Sequence, residues 1–297
     1  MSKVITYPSL TRYADQLKLR SLAFQTQVEY HRYVRKLAER AKCDPAKLTE
    51  AKVRQHLLYL KEERKYAPTS MRSATAAIRG FYNGMLGRKW RLFDLVRTPD
   101  VQKLPQVLTK EEVQRLFATI REERFRVILR LIYACGLRIS EALRLEVGDI
   151  QQGTRLWIRR TKGNKERYVP LPAAMLLELR AWWKTHRHPK LLFPGLTKGW
   201  RHLPLEGTAQ QTKHLSDSAV QNCMRLAVAQ TRLPEGTRVH TLRHSYATHL
   251  LDEGVSIRLI SAYLGHANLQ TTLIYAHLTA VNEASARAAV ERIFPAA

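Results

Sequence analysis

The sequence predicts a mainly α-helical protein with a small antiparallel β-sheet, split into an N-terminal helical bundle and a C-terminal α+β domain. Three observations carry that expectation. Apolar residues recur at helical spacing through residues 9–87. A basic stretch interrupted by Pro99 and Pro105 then breaks the pattern over residues 88–107. Beyond it, residues 154–160 and 166–171 alternate in a mostly helical background, as strands do. The expected boundaries are 1–90 for the bundle, 91–107 for an interdomain linker and 108–297 for the second domain. A chain of 297 residues is long enough for both to have cores.

Taken in order, the bundle reads as four helices. Leu10 to Leu19 is the first. Phe24 to Ala41 is the second, with Val28, Val34, Leu37 and Ala41 as its apolar set. Thr49 caps the third, where Val53, Leu57 and Leu60 recur at helical spacing. Pro68 opens the fourth, and Gly84 and Gly87 end it. Lys52, Arg54, Arg72 and Arg79 lie on the polar faces, as ordinary surface charge or as a DNA-facing set.

Past the linker, Thr109 caps a helix with Glu111 and Glu112 in its first turn. Phe125 to Cys135 is an apolar helix closed by Gly136. Gly163-Asn164 joins the two strands, so Lys162 sits beside a hairpin turn. Residues 172–187 form a helix whose Leu176, Leu177, Leu179, Trp182 and Trp183 read as core. Residues 194–215 are a long polar loop of the kind that often serves function. Ser216 caps a helix to about Arg232, Ser256 a short one containing Ile257, Ile260 and Leu264, and Asn268 the next.

Charge narrows the partner. Lys plus Arg number 50 against 25 acidic residues, a formal charge of +25. Residues 1–100 carry 21 basic and 9 acidic side chains, so the excess is not confined to one domain. Such a protein is expected to bind nucleic acid in a salt-dependent way. No basic amphipathic anchor, lipidation motif or membrane-length apolar run is apparent, so no membrane partner is expected. Cys43, Cys135 and Cys223 are odd in number and far apart, which suits free thiols in a reducing compartment and no structural zinc. No signal peptide is evident, so a cytoplasmic location is expected.

The stretch from His240 to Tyr275 holds the chemistry. His240 and Arg243 are three apart at a helix start and share a face. His266 follows Gly265, and Tyr275 sits on a short helix beyond it. A phenol among imidazoles and a guanidinium suits attack on a phosphate better than it suits a core. His244 and His249 read as structural. A metal site at His240 and His244 lacks the Glu of H-E-x-x-H, and no metal is expected.

These residues carry a resemblance. His240-Thr-Leu-Arg243-His244-Ser-Tyr-Ala-Thr-His-Leu, then Leu264-Gly265-His266 and Tyr275, resembles the C-terminal signature of the tyrosine recombinase (phage integrase) family. Gly136-Leu-Arg138-Ile-Ser-Glu141-Ala-Leu is similar to its first arginine box, and Arg160-Thr-Lys162-Gly163-Asn164 to its lysine-bearing hairpin. The resemblance implies a SAM-like core-binding bundle followed by a tyrosine recombinase catalytic domain, of the Xer-like or the integron or transposon type. Where many relatives show Ser-Pro before the second helix, this chain has Ala23-Phe24.

The chemistry follows from residue types. Arg138 and Arg243 can clamp the non-bridging oxygens of a phosphodiester, since each offers a planar fork of donors. Glu141 can cap or orient Arg138. His240 and His266 add hydrogen bonds, and His240 can accept the proton of Tyr275. Clustered positive charge is expected to favour the Tyr275 phenolate. Lys162 can protonate the leaving 5′ oxygen. The scheme needs no metal, nucleotide or other cofactor. The resemblance implies the same roles, a 3′-phosphotyrosine intermediate, and a tetramer that joins two double-stranded DNAs through a Holliday junction. Accessory DNA-bending proteins or a related recombinase are further partners it allows, on nucleoid or mobile DNA. The apolar stripe of a tail helix over 281–294 must bury, either on its own catalytic core or, as the resemblance implies, on a neighbouring protomer. A type IB topoisomerase and a catalytically dead DNA-binding regulator are the competing readings.

Overall fold

In the computed structural model the described residues are 7–97, 99, 104–159, 166–195, 213–266 and 268–276. Lys162 with its hairpin turn, most of the 194–215 loop and the 281–294 tail lie outside them. The chain divides into two units, 1–103 and 104–297.

The first unit is helical. Helix α1 spans Pro8–Leu19, α2 Phe24–Ala41, α3 Glu50–Glu62 and α4 Pro68–Arg79. Local signals set several ends: the Thr49 hydroxyl accepts from the Lys52 N–H, and Pro8 and Pro68 occupy first-turn positions. A π-helical turn, Gly80–Met85, extends α4 and drives Phe81 and Tyr82 fully into the core. Tyr82 donates its hydroxyl to the Pro45 carbonyl and stacks on Trp90. Two sequence expectations are corrected here. Val28 is 43% exposed, while Tyr33, Val34, Leu37 and Ala38 are buried. The reason is angular: at about 100° per residue, Val28 stands half a turn from Leu37. A short helix α5, Leu92–Leu95, lies in the stretch read as linker, yet its Leu92 and Phe93 belong to this core.

In the second unit, α6 spans Lys110–Thr119, α7 Glu123–Cys135 and α8 Ile139–Leu143. Thr109 and Glu112 form a reciprocal capping box at the start of α6. Strands β1 (Ile150–Gln151), β2 (Arg155–Ile158) and β3 (Arg167–Pro170) form an antiparallel sheet in that order. Leu156 pairs with Val169 on its buried face, while Trp157 pairs and stacks with Tyr168 on the other. Helices α9 (Ala173–His186), α10 (Asp217–Thr231), α11 (Val239–Asp252), α12 (Ile257–Leu264) and α13 (Gln270–Ala276) follow.

Helix α7 is apolar nearly all round because it lies between α9 and α11. In α9 the buried set is Met175, Leu179, Trp182 and His186, spaced four, three and four residues apart. Leu177, expected in the core, falls off that stripe and is 64% exposed.

Candidate active site

Two glycines create the site. Gly136 ends α7 in the left-handed region at φ +61, where a Cβ would lie 2.3 Å from the Tyr246 ring. That turn brings Arg138 to the start of α8. Gly265 ends α12 at φ +62 and packs against the Arg167 side chain. Both turns leave helix-end carbonyls unused by their own helices, at the negative ends of the helix dipoles.

Arg243 takes those carbonyls. Its side chain is 1% exposed, with Nη1 donating to the Gly136 carbonyl at 2.7 Å and Nη2 to that of Leu264 at 2.6 Å. Burial, with Arg138 nearby, pulls its pKa down to about 9, which still leaves it charged at neutral pH.

Glu141 is the second anchor. Its carboxylate accepts from the backbone N–H and Nη1 of Arg138, each at 2.8 Å. It also accepts from Nη1 and Nη2 of Arg167, at 3.0 and 2.8 Å, and lies 3.9 Å from Arg243. Burial alone would raise its pKa; the bonds from Arg167, with Arg138, outweigh burial and hold it below the usual value. One carboxylate thus fixes three guanidinium groups around a shared centre. Arg167 donates its Nε–H to the Tyr263 carbonyl as well.

His266 joins this cluster through Arg243, whose Nη2 lies 3.2 Å from Nε2. Arginine can only donate, so Nε2 accepts. The ring proton therefore sits on Nδ1, which faces the Thr272 hydroxyl at 2.8 Å. Burial and then Arg243 depress this histidine to about 4, so it is neutral at physiological pH.

Tyr275 is 2% exposed and packs with Tyr246, Ala247, Ile260 and Leu264. The expectation that positive charge would favour its phenolate is corrected: burial raises its pKa and outweighs the pull of Arg243 and Arg138. The expectation that His240 would receive its proton is not matched by geometry either. His244, read from sequence as structural, has Nδ1 2.8 Å from the Tyr275 hydroxyl. His240 faces solvent and meets His244 ring edge to ring face, with centroids 4.6 Å apart. Partial loss of water around the ring, and then Arg243, lower the pKa of His240. His249 bonds Tyr133 through Nδ1 at 2.8 Å.

The structure therefore brings Arg138, Arg243, Glu141 and His266 into one bonded cluster, with Tyr275 and His240 joined through His244. Sequence reasoning missed Arg167, Thr272 and the contact of His244. Arg167 carried a usable signal: it is in phase with buried Val169 on β3, an unusual place for a lone charge. In the first unit Lys52, Arg54, Arg72 and Arg79 are all exposed, and Arg79 pairs with Asp94 at 3.3 Å.

Two family profiles match the chain in order: the phage integrase N-terminal SAM-like domain over residues 10–92 and the phage integrase family over residues 106–281. The chain is 33% identical over 295 residues to the Sinorhizobium fredii protein y4qK, named as an integrase/recombinase, covering 99% of this chain and 91% of that one. It is 32% identical to the tyrosine recombinase XerC of Halalkalibacterium halodurans, over 75% of this chain and 76% of that one. A lambda integrase dimer bound to a COC′ core site shares the fold, with a TM-score of 0.70 at 16% identity, covering 90% of this chain and 93% of that one. With its bundle and its arginine-bearing domain both matched, the chain belongs to the phage integrase family of tyrosine recombinases, enzymes that break and rejoin DNA strands.

Proposed function

We propose that this enzyme recombines double-stranded DNA at specific sites through a 3′-phosphotyrosine intermediate formed on Tyr275. The observation that carries the reading is the pair of guanidiniums, Arg138 and Arg243, held about one buried Glu141 with neutral His266 bonded to Arg243. Attack on a phosphodiester builds negative charge on two non-bridging oxygens. Two fixed arginine forks meet that charge without reorganising. His266 steadies Arg243 by accepting from its Nη2, and His240, at the solvent edge, can reach a phosphate oxygen.

In this scheme the Tyr275 hydroxyl attacks phosphorus and the 5′ oxygen leaves with a proton from Lys162. The covalent ester conserves the energy of the broken bond, so rejoining calls for no nucleotide, and the arginines supply the charge a metal would otherwise bring. A partner strand's 5′ hydroxyl completes exchange, first to a Holliday junction and then to recombinant duplexes. The basic bundle, whose core extends to Leu92 and Phe93, and the catalytic domain, 108–297, each bind the duplex. Four protomers act on two duplexes, linked by tail helices docked in trans, with accessory DNA-bending proteins or a related recombinase as further partners. The bacterial sources of the named relatives fit work on nucleoid or mobile DNA in the cytoplasm.

The test begins with a site recovered by selecting random-sequence duplex DNA on the purified chain. A duplex bearing that site and nicked beside the scissile phosphate should trap a covalent adduct with the wild-type protein and none with Tyr275→Phe, at equal affinity. Adduct formation by the phenylalanine variant would remove Tyr275 from the role. Lys162→Ala should be slow on the ordinary duplex and much less impaired when the 5′ bridging oxygen is sulfur, which leaves without a proton.

A further inference from the structure

We propose that His244 is a catalytic residue, the group that holds the Tyr275 hydroxyl in place and takes its proton during cleavage. The inference rests on the assignment of Tyr275 as nucleophile and adds to it the fate of the phenolic hydrogen. Three features of the structure lead to it.

The first is contact. His244 Nδ1 and Tyr275 Oη are 2.8 Å apart, and among the described residues no hydrogen bond links His240 to that hydroxyl. The contact spans two elements, α11 and α13, so it is a product of the fold and not of sequence neighbourhood.

The second is direction. The groups facing His244 are His240 and Arg243 from its own helix, His266 after α12, and Tyr275 from α13. Burial first, and then His240, Arg243 and His266, depress the pKa of His244 to about 4. A neutral imidazole has one acceptor nitrogen and one donor nitrogen. The phenol, whose own pKa is raised by burial, keeps its proton. A protonated phenol facing a neutral imidazole donates to it, so Nδ1 is the acceptor and Nε2 carries the ring hydrogen.

The third is timing. A weak base is a poor proton acceptor until its surroundings change. A DNA phosphate seated on Arg138 and Arg243 brings negative charge beside Arg243, one of the groups that depress His244. The imidazole then gains basicity when substrate is in place, and the nucleophile stays protonated and buried otherwise.

The step balances as follows. Tyr275 Oη forms a bond to phosphorus while its proton passes to His244 Nδ1. The bond from phosphorus to the 5′ oxygen breaks, and that oxygen takes a proton from Lys162. Rejoining reverses each transfer: an incoming 5′ hydroxyl gives its proton to the Lys162 amine as its oxygen bonds phosphorus, and the His244 imidazolium returns a proton to Tyr275 Oη as the phosphotyrosine bond breaks.

The experiment has two arms. In the first, His244→Asn places an amide oxygen near the position of Nδ1, keeping an acceptor that cannot take up a proton. On the nicked duplex bearing the selected site, adduct formation should fall by about 100-fold, the lower end for loss of one proton-transfer group, with DNA affinity unchanged. A difluorotyrosine at position 275 ionises more readily and should restore most of that loss. A structural role for His244 would leave the defect untouched by fluorination. Wild-type rates in His244→Asn, or a defect that fluorination does not relieve, overturn the proposal. The second arm needs no substitution at all. Nitrogen-15 spectra of histidine-labelled wild-type protein should show His244 with Nδ1 unprotonated and the hydrogen on Nε2. A hydrogen on Nδ1 would make the ring a donor to the phenol and overturn the proposal, even where His244→Asn does not fold. Absence of any adduct with the wild-type protein would instead remove Tyr275 as nucleophile, and this inference with it; an adduct in the wild type together with an unaffected His244→Asn would remove His244 alone.

Discussion

Glu141→Gln is the sharpest probe of how the arginine cluster is built. The substitution keeps the shape of the side chain and replaces one carboxylate oxygen with an NH2 group. Glu141 accepts four hydrogen bonds, two on each oxygen: Oε1 from Nη1 of Arg138 and Nη1 of Arg167, Oε2 from the Arg138 backbone and Nη2 of Arg167. Whichever way the amide turns, one end meets two donors with two more donors, so two bonds are lost. Hydrogen bonds to charged groups contribute about 1.5–3 kcal/mol each. Two of them suggest a loss of about 3–6 kcal/mol, and breaking a buried ion pair from one side costs about 3–5 kcal/mol. The two routes overlap at about 3–5 kcal/mol. With a urea dependence of about 3 kcal/mol per molar, the midpoint of the catalytic unit should drop by about 1–1.7 M. A double substitution adding Arg167→Met should be less destabilised than the sum of the two single changes, because the second removes a charge the first left unpaired. A midpoint shift under about 0.3 M, which is a loss of about 1 kcal/mol at that slope, would refute the four-bond account. So would strict additivity in the double variant.

Other expectations follow from the same geometry. Arg243→Lys should reduce adduct formation by at least about 100-fold, since one ammonium cannot span the Gly136 and Leu264 carbonyls and also present a fork to phosphate; near-normal rates would show that a point charge suffices. Gly136→Ala places a methyl against the Tyr246 ring at positive φ and should destabilise the catalytic unit by about 2–4 kcal/mol, read as a lower urea midpoint; an unchanged midpoint would mean the turn relaxes freely. His186, His244 and His266 are each depressed to about 4 by burial, from an ordinary value of 6.5. The unfolded chain therefore binds more protons between those values, so their contribution to stability is complete above pH 6.5 and is lost as pH falls toward 4. Urea midpoints that stay flat from pH 7 to about pH 4.5 would contradict this.

What could be read from the sequence was what neighbouring residues decide. The caps at Thr49, Thr109 and Ser256, the stop at Gly136 and the alternation of the two strands are all written within a few residues of where they act. Arg138, Arg243, His266 and Tyr275 were found by type and spacing. Val28 and Leu177 were misassigned because a helix with apolar residues on two faces needs its neighbours to say which face is buried. Arg167 and His244 were missed for a related reason. Each acquires its partner across the fold: Arg167 meets Glu141 from β3, and His244 meets Tyr275 from another helix. The protonation of Tyr275 was misjudged because charge can be counted along a sequence and desolvation cannot.

The attachment of Arg243 to two main-chain carbonyls bears on how this enzyme can change over generations. A side-chain anchor vanishes with one nucleotide change, whereas a peptide carbonyl is present whatever residue follows a codon's drift. Positions 136 and 264 therefore offer their oxygens through any substitution that preserves the turn. The vulnerability moves from composition to length. A single-residue insertion or deletion between Cys135 and Arg138, or between Leu264 and His266, changes the path of the turn and displaces the groups it presents to the guanidinium. A library of variants across these two turns should keep the Leu264 carbonyl in place through apolar replacements that fill the same core site, and tolerate almost no change in spacing.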